Sequence, residues 1–224
     1  MKSVFKSFNI VNVSKFLFYF SVGITASEIS ILSDIPIAQV HKFLTAIQRL
    51  IYQNEENNIK KIGGINHTVE IDESQVGRRK NNVGRLPGHK IIFGGICREN
   101  KEFFMKIVEN KSREVLGREI IAHILPGTTI FTDQWTSYMS FFSNLSIFYH
   151  NFVNHKLNFV DPIDGTHTQT IESLWSEFKR FKRKYGYSKQ RLLNIYITEF
   201  KIRKRFKNQN QSSQKLFKYL LNII

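Results

Sequence analysis

The chain has 224 residues, of which 33 are Lys or Arg and 18 are Asp or Glu, so its formal net charge is +15. A hydrophobic content of 42%, with 20 Phe, 8 Tyr and 2 Trp, excludes a wholly disordered chain. The single cysteine, Cys97, excludes a disulfide scaffold and a zinc ribbon. The most apolar run, Phe16 to Ile24, is far shorter than the roughly 18 residues of a transmembrane helix. We therefore expect a soluble protein.

The N-terminal region predicts three helices. Thr25 to Glu28 (TASE) matches a capping box, which predicts a helix start with Ile29 and Leu32 turned inward. Ser33 to Pro36 predicts a tight turn, and the helix before the capping box is expected to end near Phe20. This pattern is typical of a helix-turn-helix that lays its last helix in a DNA major groove, and the alternative is a plain structural bundle. The last helix is expected to bury Val40, Phe43, Leu44, Ile47, Leu50 and Ile51.

A polar, Asn-rich stretch that ends in a glycine pair, residues 53–64, predicts a linker. After it, short apolar or alternating runs predict strands, and spacings of three and four predict helices. The order is three strands, a helix, a strand, a further helix and strand, and then helices, which predicts a mixed sheet with helices packed on it. The strands are expected at 69–74, 90–97, 102–108, 128–132 and 147–153, and the main helices at 112–124, from 168 onward and at 189–206. The helix at 112–124 is expected to be capped by Ser112 and to have Val115, Ile120, Ile121 and Ile124 on its apolar face.

Basic residues are concentrated near the C-terminus. Between Lys179 and Lys207 there are 12 basic residues and one acid, Glu199, so this stretch carries 12 − 1 = +11 of the total charge. Such a concentration indicates a polyanion partner, because each Lys or Arg placed near a phosphate releases condensed counterions. A solvated basic helix or a nuclear import signal fits the charge equally well.

Three acids stand at special points of the predicted layout. Asp72 lies in the first strand, Asp133 directly follows the fourth, and Glu172 begins the helix after THTQ. If the first and fourth strands are neighbours, Asp72 and Asp133 converge at one end of the sheet, and the helix brings Glu172 over them. Carboxylates without His or Cys suit Mg²⁺ or Mn²⁺, and two such ions would serve an in-line displacement at phosphorus. Spacing alone does not select these three, because other acids fit surface or capping positions equally well: Glu70, Glu73, Asp161 and Asp164.

A resemblance selects the three acids. Four strings carry it: VEIDESQVGRRK from Val69, GRLPGHKIIFGGI from Gly84, PGTTIFTDQWTSY from Pro126 and VNHKLNFVDPIDGTHTQTIESLW from Val153. They resemble the catalytic core of the Merlin-type transposases and their bacterial insertion-sequence relatives, within the DDE transposase group. The likeness runs from about Val69 to Arg205. It implies an α/β fold, an RNase H-like mixed five-stranded sheet with flanking helices, here preceded by a small all-α helix-turn-helix domain.

The resemblance also implies the roles of individual residues. The catalytic and metal-binding acids would be Asp72, Asp133 and Glu172, with two Mg²⁺ or Mn²⁺ ions as cofactors. A basic residue seven positions after the last acid belongs to the same pattern, here Lys179. Supporting positions are His155, His167, Trp135 and Trp175, of which the two tryptophans are expected to be core anchors behind the acids and the two histidines loop structure or phosphate contacts. The residues expected to contact DNA follow from the basic charge of the C-terminal stretch and of the loop at 78–80, and from the outer side of the third helix. They are Lys179, Arg180, Lys182, Arg183, Lys184, Arg78, Arg79, Lys80, Gln39 and Lys42.

These observations predict a DNA transposase that hydrolyses phosphodiesters at transposon ends and transfers the 3′ hydroxyl into target DNA. The expected domains are a helix-turn-helix region at 1–56, a linker at 57–66, the catalytic domain at 67–207 and a tail at 208–224. The expected partners are duplex DNA, as terminal inverted repeats and target, and further copies of the chain in a synaptic complex. The expected location is the nucleus in a eukaryote and the cytoplasm otherwise. The alternatives are a transposase-derived DNA-binding protein without catalysis and a structure-selective nuclease of the same fold.

Overall fold

The computed structural model describes residues 5, 8–56, 60–76, 90–133, 136–143, 146–153, 168–208 and 213–224. They fall into two compact units, one from Ile59–Lys179 and the other from Met1–Asn58 together with Arg180–Ile224. We call the first the sheet unit and the second the helical unit. Among the described residues no helix is both long enough and apolar enough to cross a membrane.

In chain order the elements are α1 (Ile10–Val22), α2 (Ala26–Ser33), α3 (Ile37–Glu55), β1 (Ile62–Gly63), β2 (Thr68–Val76), β3 (Lys90–Cys97), β4 (Phe103–Val108), α4 (Arg113–His123), β5 (Ile124–Leu125), β6 (Thr129–Asp133), α5 (Thr136–Phe142), β7 (Tyr149–Val153), α6 (Gln169–Lys184), α7 (Leu193–Asn208) and α8 (Ser213–Ile223). A single 3₁₀ turn, Gln190–Leu192, precedes α7. The predicted strands and helices are confirmed to within a few residues, and α8 and the short strands β1 and β5 were not predicted.

The sheet unit is built on a five-stranded mixed sheet in the order β4-β3-β2-β6-β7. Strands β2, β3 and β4 are antiparallel neighbours, whereas β6 runs parallel to β2 and β7 runs parallel to β6. The first three strands can pair as successive hairpins, but the parallel pairs need crossovers, and α4 and α5 lie in those connections. This is the mixed five-stranded sheet with flanking helices that the resemblance implied, and that part of the predicted fold class is confirmed. The helix-turn-helix domain stays a prediction.

One face of the sheet packs against α4 and α5 through an apolar core. Ser112 caps α4 by accepting a hydrogen bond from the Val115 amide at 3.3 Å, as the sequence predicted. The prediction that Ile121 points inward is wrong, because Leu116 and Ile120 are one turn apart and fill the core instead, which leaves Ile121 exposed. The core residues include Val69, Ile71, Phe93, Phe104, Leu116, Ile120, Ile130 and Phe141.

The helical unit draws its helices from two distant stretches of the chain. Thr25 and Glu28 form the predicted capping box at the start of α2, and Ile29 is buried there. Leu32, predicted to face inward, is exposed, because α2 is only eight residues long and buries a single turn. The positions predicted to be apolar on α3 are buried, except for the half-buried Leu44. They share one core with residues of α7 and α8: Ile202, Leu216, Leu220 and Ile223.

A buried polar network also joins these two stretches. The Gln48 amide nitrogen donates to Glu199 at 2.8 Å, and the Tyr187 hydroxyl donates to the same carboxylate oxygen at 2.8 Å. Arg203 donates to the other oxygen of Glu199 at 2.7 Å and to the Phe20 carbonyl at 3.0 Å. Every oxygen of the buried carboxylate is therefore occupied by a donor, which removes most of the cost of its burial.

These units differ from the division predicted from the sequence. Residues 208–224 were expected to be a tail, but residues 213–223 form α8, whose Leu216, Leu220 and Ile223 lie one turn apart and pack into the core of the helical unit. Residues 193–207, predicted to belong to the catalytic domain, pack with the N-terminal helices. The apolar stripe on α8 and the polar network around Glu199 are the physical reasons for this difference.

Candidate active site

Two of the three predicted catalytic acids lie on neighbouring parallel strands. The ladder between β2 and β6 pairs Thr68 with Thr129 and Glu70 with Phe131. Continuing this register by two residues places Asp72 of β2 opposite Asp133, the last residue of β6. Their charges interact, since Asp133 is among the groups that raise the pKa of Asp72. The predicted convergence of Asp72 and Asp133 on adjacent strands is thus confirmed as a placement in the sheet.

Trp175 of α6 holds the Asp72 carboxylate. Its indole nitrogen donates to an oxygen of Asp72 at 2.9 Å. The indole reaches this position because Gly94, which pairs with Asp72 across the β2–β3 ladder, has no side chain: a Cβ there would lie 2.6 Å from the ring. Trp175 is itself buried. The prediction that this tryptophan is a buried anchor behind an acid agrees with its burial and its hydrogen bond.

The carboxyl of Asp72 lies in an environment that disfavours its charge. Burial is the main cause, the negative charge of Glu73 is the second, and the charge of Asp133 acts in the same direction. Hydrogen bonds from the Glu73 backbone and from Trp175 oppose them. The outcome is a pKa raised from the ordinary value of 3.8 to about 6. In the absence of a cation, the site thus holds more negative charge than its surroundings compensate.

Glu73 lies on the other face of β2, where its side chain is 3% exposed. The Tyr138 hydroxyl of α5 donates to one carboxylate oxygen, and the Lys111 ammonium donates to the other at 2.8 Å. The charge of Glu73 and the site of Asp72 are therefore separated only by the backbone of β2. Periodicity assigns Glu73 to the inner face of the strand, but nothing in the sequence identifies Lys111 and Tyr138 as its partners.

Glu172, the third predicted acid, lies in the first turn of α6. Its amide donates to the Thr168 carbonyl at 3.2 Å, which starts the helix, and its side chain is exposed. The amides of the two residues before it, Thr170 and Ile171, donate to the carboxylate of Glu70 on β2 at 2.8 and 3.0 Å. The start of α6 is thereby attached directly to the strand that carries Asp72. Sequence reasoning left Glu70 as one of several acids with a surface or capping role.

Three carboxylate donors are the ligand type that Mg²⁺ and Mn²⁺ prefer. In the part of the chain that the structure describes, no three His, Cys, Asp or Glu side chains are close enough together to hold a metal ion. The structure therefore brings Asp72 and Asp133 together and does not join the Glu172 carboxylate to them. The excess negative charge at Asp72 nevertheless fits a cation, because a cation beside the carboxylate would offset both its burial and the charge of Glu73.

The predicted DNA-contacting residues of α6 form an exposed basic surface. Lys179 lies in the sheet unit and four others in the helical unit, and all are exposed except the half-buried Lys182, whose pKa is lowered by burial. Some basic residues of the stretch from 179 to 207 have structural partners, among them Arg203 and Arg205. Arg203, 14% exposed, pairs with Glu199 at 2.7 Å, and Arg205 pairs with Glu55 at 2.7 Å. The positive charge that this stretch can present to DNA is therefore smaller than the +11 counted from the sequence.

The turn between α2 and α3 has three residues, Asp34 to Pro36, and Asp34 adopts a left-handed conformation with φ 56° and ψ 33°. Asp and Asn tolerate this conformation better than other non-glycine residues. On α3 the predicted contact residues are the half-buried Gln39 and the exposed Lys42. The same outer face carries three further exposed polar residues: His41, Thr45 and Arg49.

Several predicted site residues lie outside the described part of the chain. They are His155, His167, Trp135, Arg78, Arg79 and Lys80. Their roles remain predictions. The same holds for Asp161 and Asp164, the other acids near the third motif.

Two of the solved structures that this chain is similar to are viral. A chain of the cryo-EM structure of the simian T-cell lymphotropic virus intasome in complex with PP2A regulatory subunit B56 gamma aligns over 84% of this protein with 10% identity and a TM-score of 0.39. This protein spans 65% of the length of that chain. The HTLV-2 integrase catalytic core domain in complex with magnesium (trimeric form) aligns over 70% of this protein and 84% of its own length, with 11% identity and a TM-score of 0.35.

No curated protein matches the chain. The family model described as the ISXO2-like transposase domain matches residues 63–204, which is more than half of the chain. The matched segment includes Asp72, Asp133 and Glu172, together with all of the five-stranded sheet. The transposase part of the resemblance seen in the sequence is confirmed, and the Merlin subtype stays a prediction. The chain belongs to the ISXO2-like transposase domain family.

Proposed function

We propose that this protein is a DNA transposase that cuts at the ends of its element and joins the released 3′ hydroxyl to target DNA. The observation that carries the proposal is the parallel pairing of β2 with β6. Its register, continued by two residues, brings Asp72 level with Asp133, the last residue of β6, and the start of α6 is attached to β2. Family membership supplies the reaction class, and these side chains supply the site.

Asp72, Asp133 and Glu172 would hold two Mg²⁺ or Mn²⁺ ions. When bound, these ions would activate the attacking oxygen and stabilise the leaving oxygen in an in-line displacement at phosphorus. The chain's own contribution is to orient the donors. Trp175 donates a hydrogen bond to one oxygen of Asp72, and the Glu70 carboxylate binds the helix turn that carries Glu172.

The first reaction is hydrolysis. A water oxygen attacks the phosphorus at the element's end, the bond from phosphorus to the 3′ oxygen breaks, and the departing oxygen takes up a proton to become the 3′ hydroxyl. In the second reaction this hydroxyl attacks a phosphorus of the target strand, which breaks that strand and joins the two DNAs. Hydrolysis consumes one water and one phosphodiester, whereas strand transfer forms one phosphodiester as it breaks another and releases a 3′ hydroxyl of the target strand. Neither reaction requires an oxidant or a nucleotide cofactor.

Two separate regions of the chain would bind DNA, the basic residues of α6 and the outer side of α3. The exposed basic residues of α6, from Lys179 to Lys184, follow the active-site turn on the same helix and would contact the phosphate backbone. The short turn before α3, with Asp34 in the left-handed conformation, supports a helix-turn-helix whose α3 carries Lys42 and Gln39 on its outer side. We propose that α3 reads the element's ends and that copies of the chain pair two ends in one complex.

The test is a cleavage and joining assay with labelled duplexes that carry the DNA flanking the gene. The wild type should nick and join these duplexes in Mg²⁺, and Asp133→Asn and Glu172→Gln should reduce both rates by at least about a hundredfold, because each removes a donor worth several kcal/mol of charge stabilisation. Glu109→Gln, which alters a carboxylate 70% exposed on the surface, serves as the matched control and should leave the rates unchanged.

DNA binding is measured in parallel, because it separates the two main alternatives. Binding of the ends that survives both active-site substitutions, with no nicking by the wild type in Mg²⁺ or Mn²⁺, would establish a DNA-binding protein without catalysis. Nicking without joining would establish a nuclease. Either result would refute the proposed transposase activity.

A further inference from the structure

Glu70 is a buried carboxylate to which neither the family resemblance nor the proposed metal site gives a role. It is the third residue of β2 and its side chain is 0% exposed. One oxygen accepts a hydrogen bond from the Arg98 guanidinium at 2.6 Å, and the other accepts the amides of Thr170 and Ile171 at 2.8 and 3.0 Å. A carboxylate taken out of water is tolerated only with such partners, so this position is specified by all three contacts.

The contact with α6 is a helix cap supplied by another element. Thr170 and Ile171 are the second and third residues of α6, and their amides are among those that have no partner inside the helix. Glu70 satisfies both amides, and its negative charge lies at the positive end of the helix dipole. Arg98 balances the charge and lies over the Phe131 ring of β6 at 4.4 Å. Glu70 therefore connects β2, β6 and the start of α6.

Both oxygens of Glu70 are occupied by donors, which argues against a role as a metal ligand. Its position argues for a different role. Side chains alternate along a strand, so Glu70 and Asp72 project from the same face of β2. Glu172 is the next residue after Ile171, whose amide Glu70 binds. One strand thus carries the first acid and also fixes the helix turn of the third acid.

We propose that Glu70 is a positioning residue that sets the place of the Glu172 turn relative to Asp72, and so sets the affinity of the site for divalent cations. The inference rests on the proposed metal-dependent function. Trp175 provides the second attachment of α6 to β2, through Asp72. The two attachments are about one helical turn apart, since Ile171 and Trp175 differ by four residues, and together they determine the rotation and the height of the helix over the strand.

The test compares Glu70→Ala and Glu70→Gln with the wild type and with a matched control, Glu199→Gln. Glu199 is also a buried carboxylate, 1% exposed, and is bound by an arginine Nε at 2.7 Å, but it belongs to the helical unit. Binding of Mn²⁺ alone is followed by electron paramagnetic resonance, and Mg²⁺-dependent nicking is followed as a function of metal concentration. Amide exchange at residues 169–173 is measured without metal, which reports on the anchor independently of activity.

Glu70→Ala should weaken Mn²⁺ binding about 10- to 100-fold, raise the Mg²⁺ concentration for half-maximal nicking in proportion, and accelerate exchange at Thr170 and Ile171. Glu70→Gln keeps an oxygen that can accept an amide, so it should recover part of the Mn²⁺ affinity, and it also serves as the test variant if Glu70→Ala does not fold. Glu199→Gln should lower thermal stability without changing Mn²⁺ affinity. If Glu70 had a purely structural role, its substitution would lower the folded fraction and would not change the metal dependence of the protein that remains folded.

The inference is overturned if folded Glu70→Gln or Glu70→Ala binds Mn²⁺ as the wild type does, or if Glu199→Gln weakens Mn²⁺ binding equally. Failure of the proposed function looks different, because the wild type itself would then neither bind Mn²⁺ nor nick DNA. Even in that case the amide exchange at residues 169–173 decides whether Glu70 anchors the helix.

Discussion

Replacing Asp72 by Asn should stabilise the metal-free protein at neutral pH while abolishing its activity. The structure raises the pKa of this carboxyl from 3.8 to about 6, chiefly by burial and by the charge of Glu73. A group whose pKa is higher in the folded state binds its proton more tightly there than in the unfolded chain. The stability that this gives is fully present below pH 3.8 and is lost as the pH rises through about 6.

The size of the effect follows from the shift. A rise of about 2 in pKa corresponds to about 3 kcal/mol at 1.4 kcal/mol per unit, which is the amount by which the ionised Asp72 disfavours folding above pH 6. Asn cannot ionise, has almost the same shape, and keeps an oxygen for the Trp175 hydrogen bond. We therefore expect Asp72→Asn to be more stable by up to about 3 kcal/mol at pH 7.5, or about 5–10 °C in Tm.

The assay is thermal and urea unfolding in EDTA, between pH 4 and 8, with tryptophan fluorescence as the probe. Trp175 lies in the sheet unit and donates a hydrogen bond to Asp72, so its fluorescence reports on the unit that contains Asp72. Glu109→Gln is the control and should track the wild type. Adding Mg²⁺ should stabilise the wild type but not Asp72→Asn, and at 100 times the Kd the gain of about 2.7 kcal/mol should nearly close the gap.

The outcome that contradicts this reasoning is a variant that is less stable than the wild type at pH 7.5 in EDTA. Equal stability of the two proteins at every pH would contradict it as well, because it would mean that the folded protein ionises Asp72 without cost. Either result would show that the carboxyl is better solvated, or better paired, than its burial and its neighbours indicate.

Three further predictions concern contacts around the site and in the helical unit. Trp175→Phe keeps the ring packing but removes the donor to Asp72, so we expect a lower kcat with little change in Tm, measured by the nicking assay and by calorimetry. Gly94→Ala places a methyl 2.6 Å from the Trp175 ring and should cost about 1–3 kcal/mol in urea unfolding, and an unchanged midpoint would refute this. Glu199→Ala leaves the Arg203 guanidinium buried without its partner, which should cost about 3–5 kcal/mol, and circular dichroism should show an earlier loss of helix.

The sequence predicts the sheet and its order of elements well because both depend on local patterns. The strand over Lys90–Cys97 is found at the residues predicted, and the capping residues Thr25 and Ser112 mark helix starts by chemistry that acts over three residues. The resemblance adds the choice of Asp72 among several acids. Each of these signals is contained in a short stretch of chain, so folding does not alter it.

Contacts between distant elements could not be predicted in the same way. The carboxylate of Glu70 meets the amides of α6 about a hundred residues later, and these amides carry no residue-specific signal that a sequence could display. In the sequence Gly94 is only one of two adjacent glycines in an apolar strand. Its pairing with Asp72 in the structure shows that it must lack a side chain to leave room for the Trp175 indole. Leu32 and Ile121 are exposed because other residues of their helices fill the core. Periodicity alone does not decide which of several adjacent apolar residues is buried.

The make-up of the helical unit has a consequence for how the chain folds during synthesis. Its core joins Phe16, Phe43 and Ile47 to Leu216 and Leu220, so the N-terminal helices leave the ribosome more than 150 residues before the partners that cover them. The sheet unit lies between these stretches and is synthesised as one continuous segment, Ile59–Lys179. Domains generally fold as units while the chain grows. We expect the sheet unit to form first, while the apolar faces of the N-terminal helices are still exposed. Chains that stall before residue 213 should therefore be the ones that aggregate or that chaperones bind.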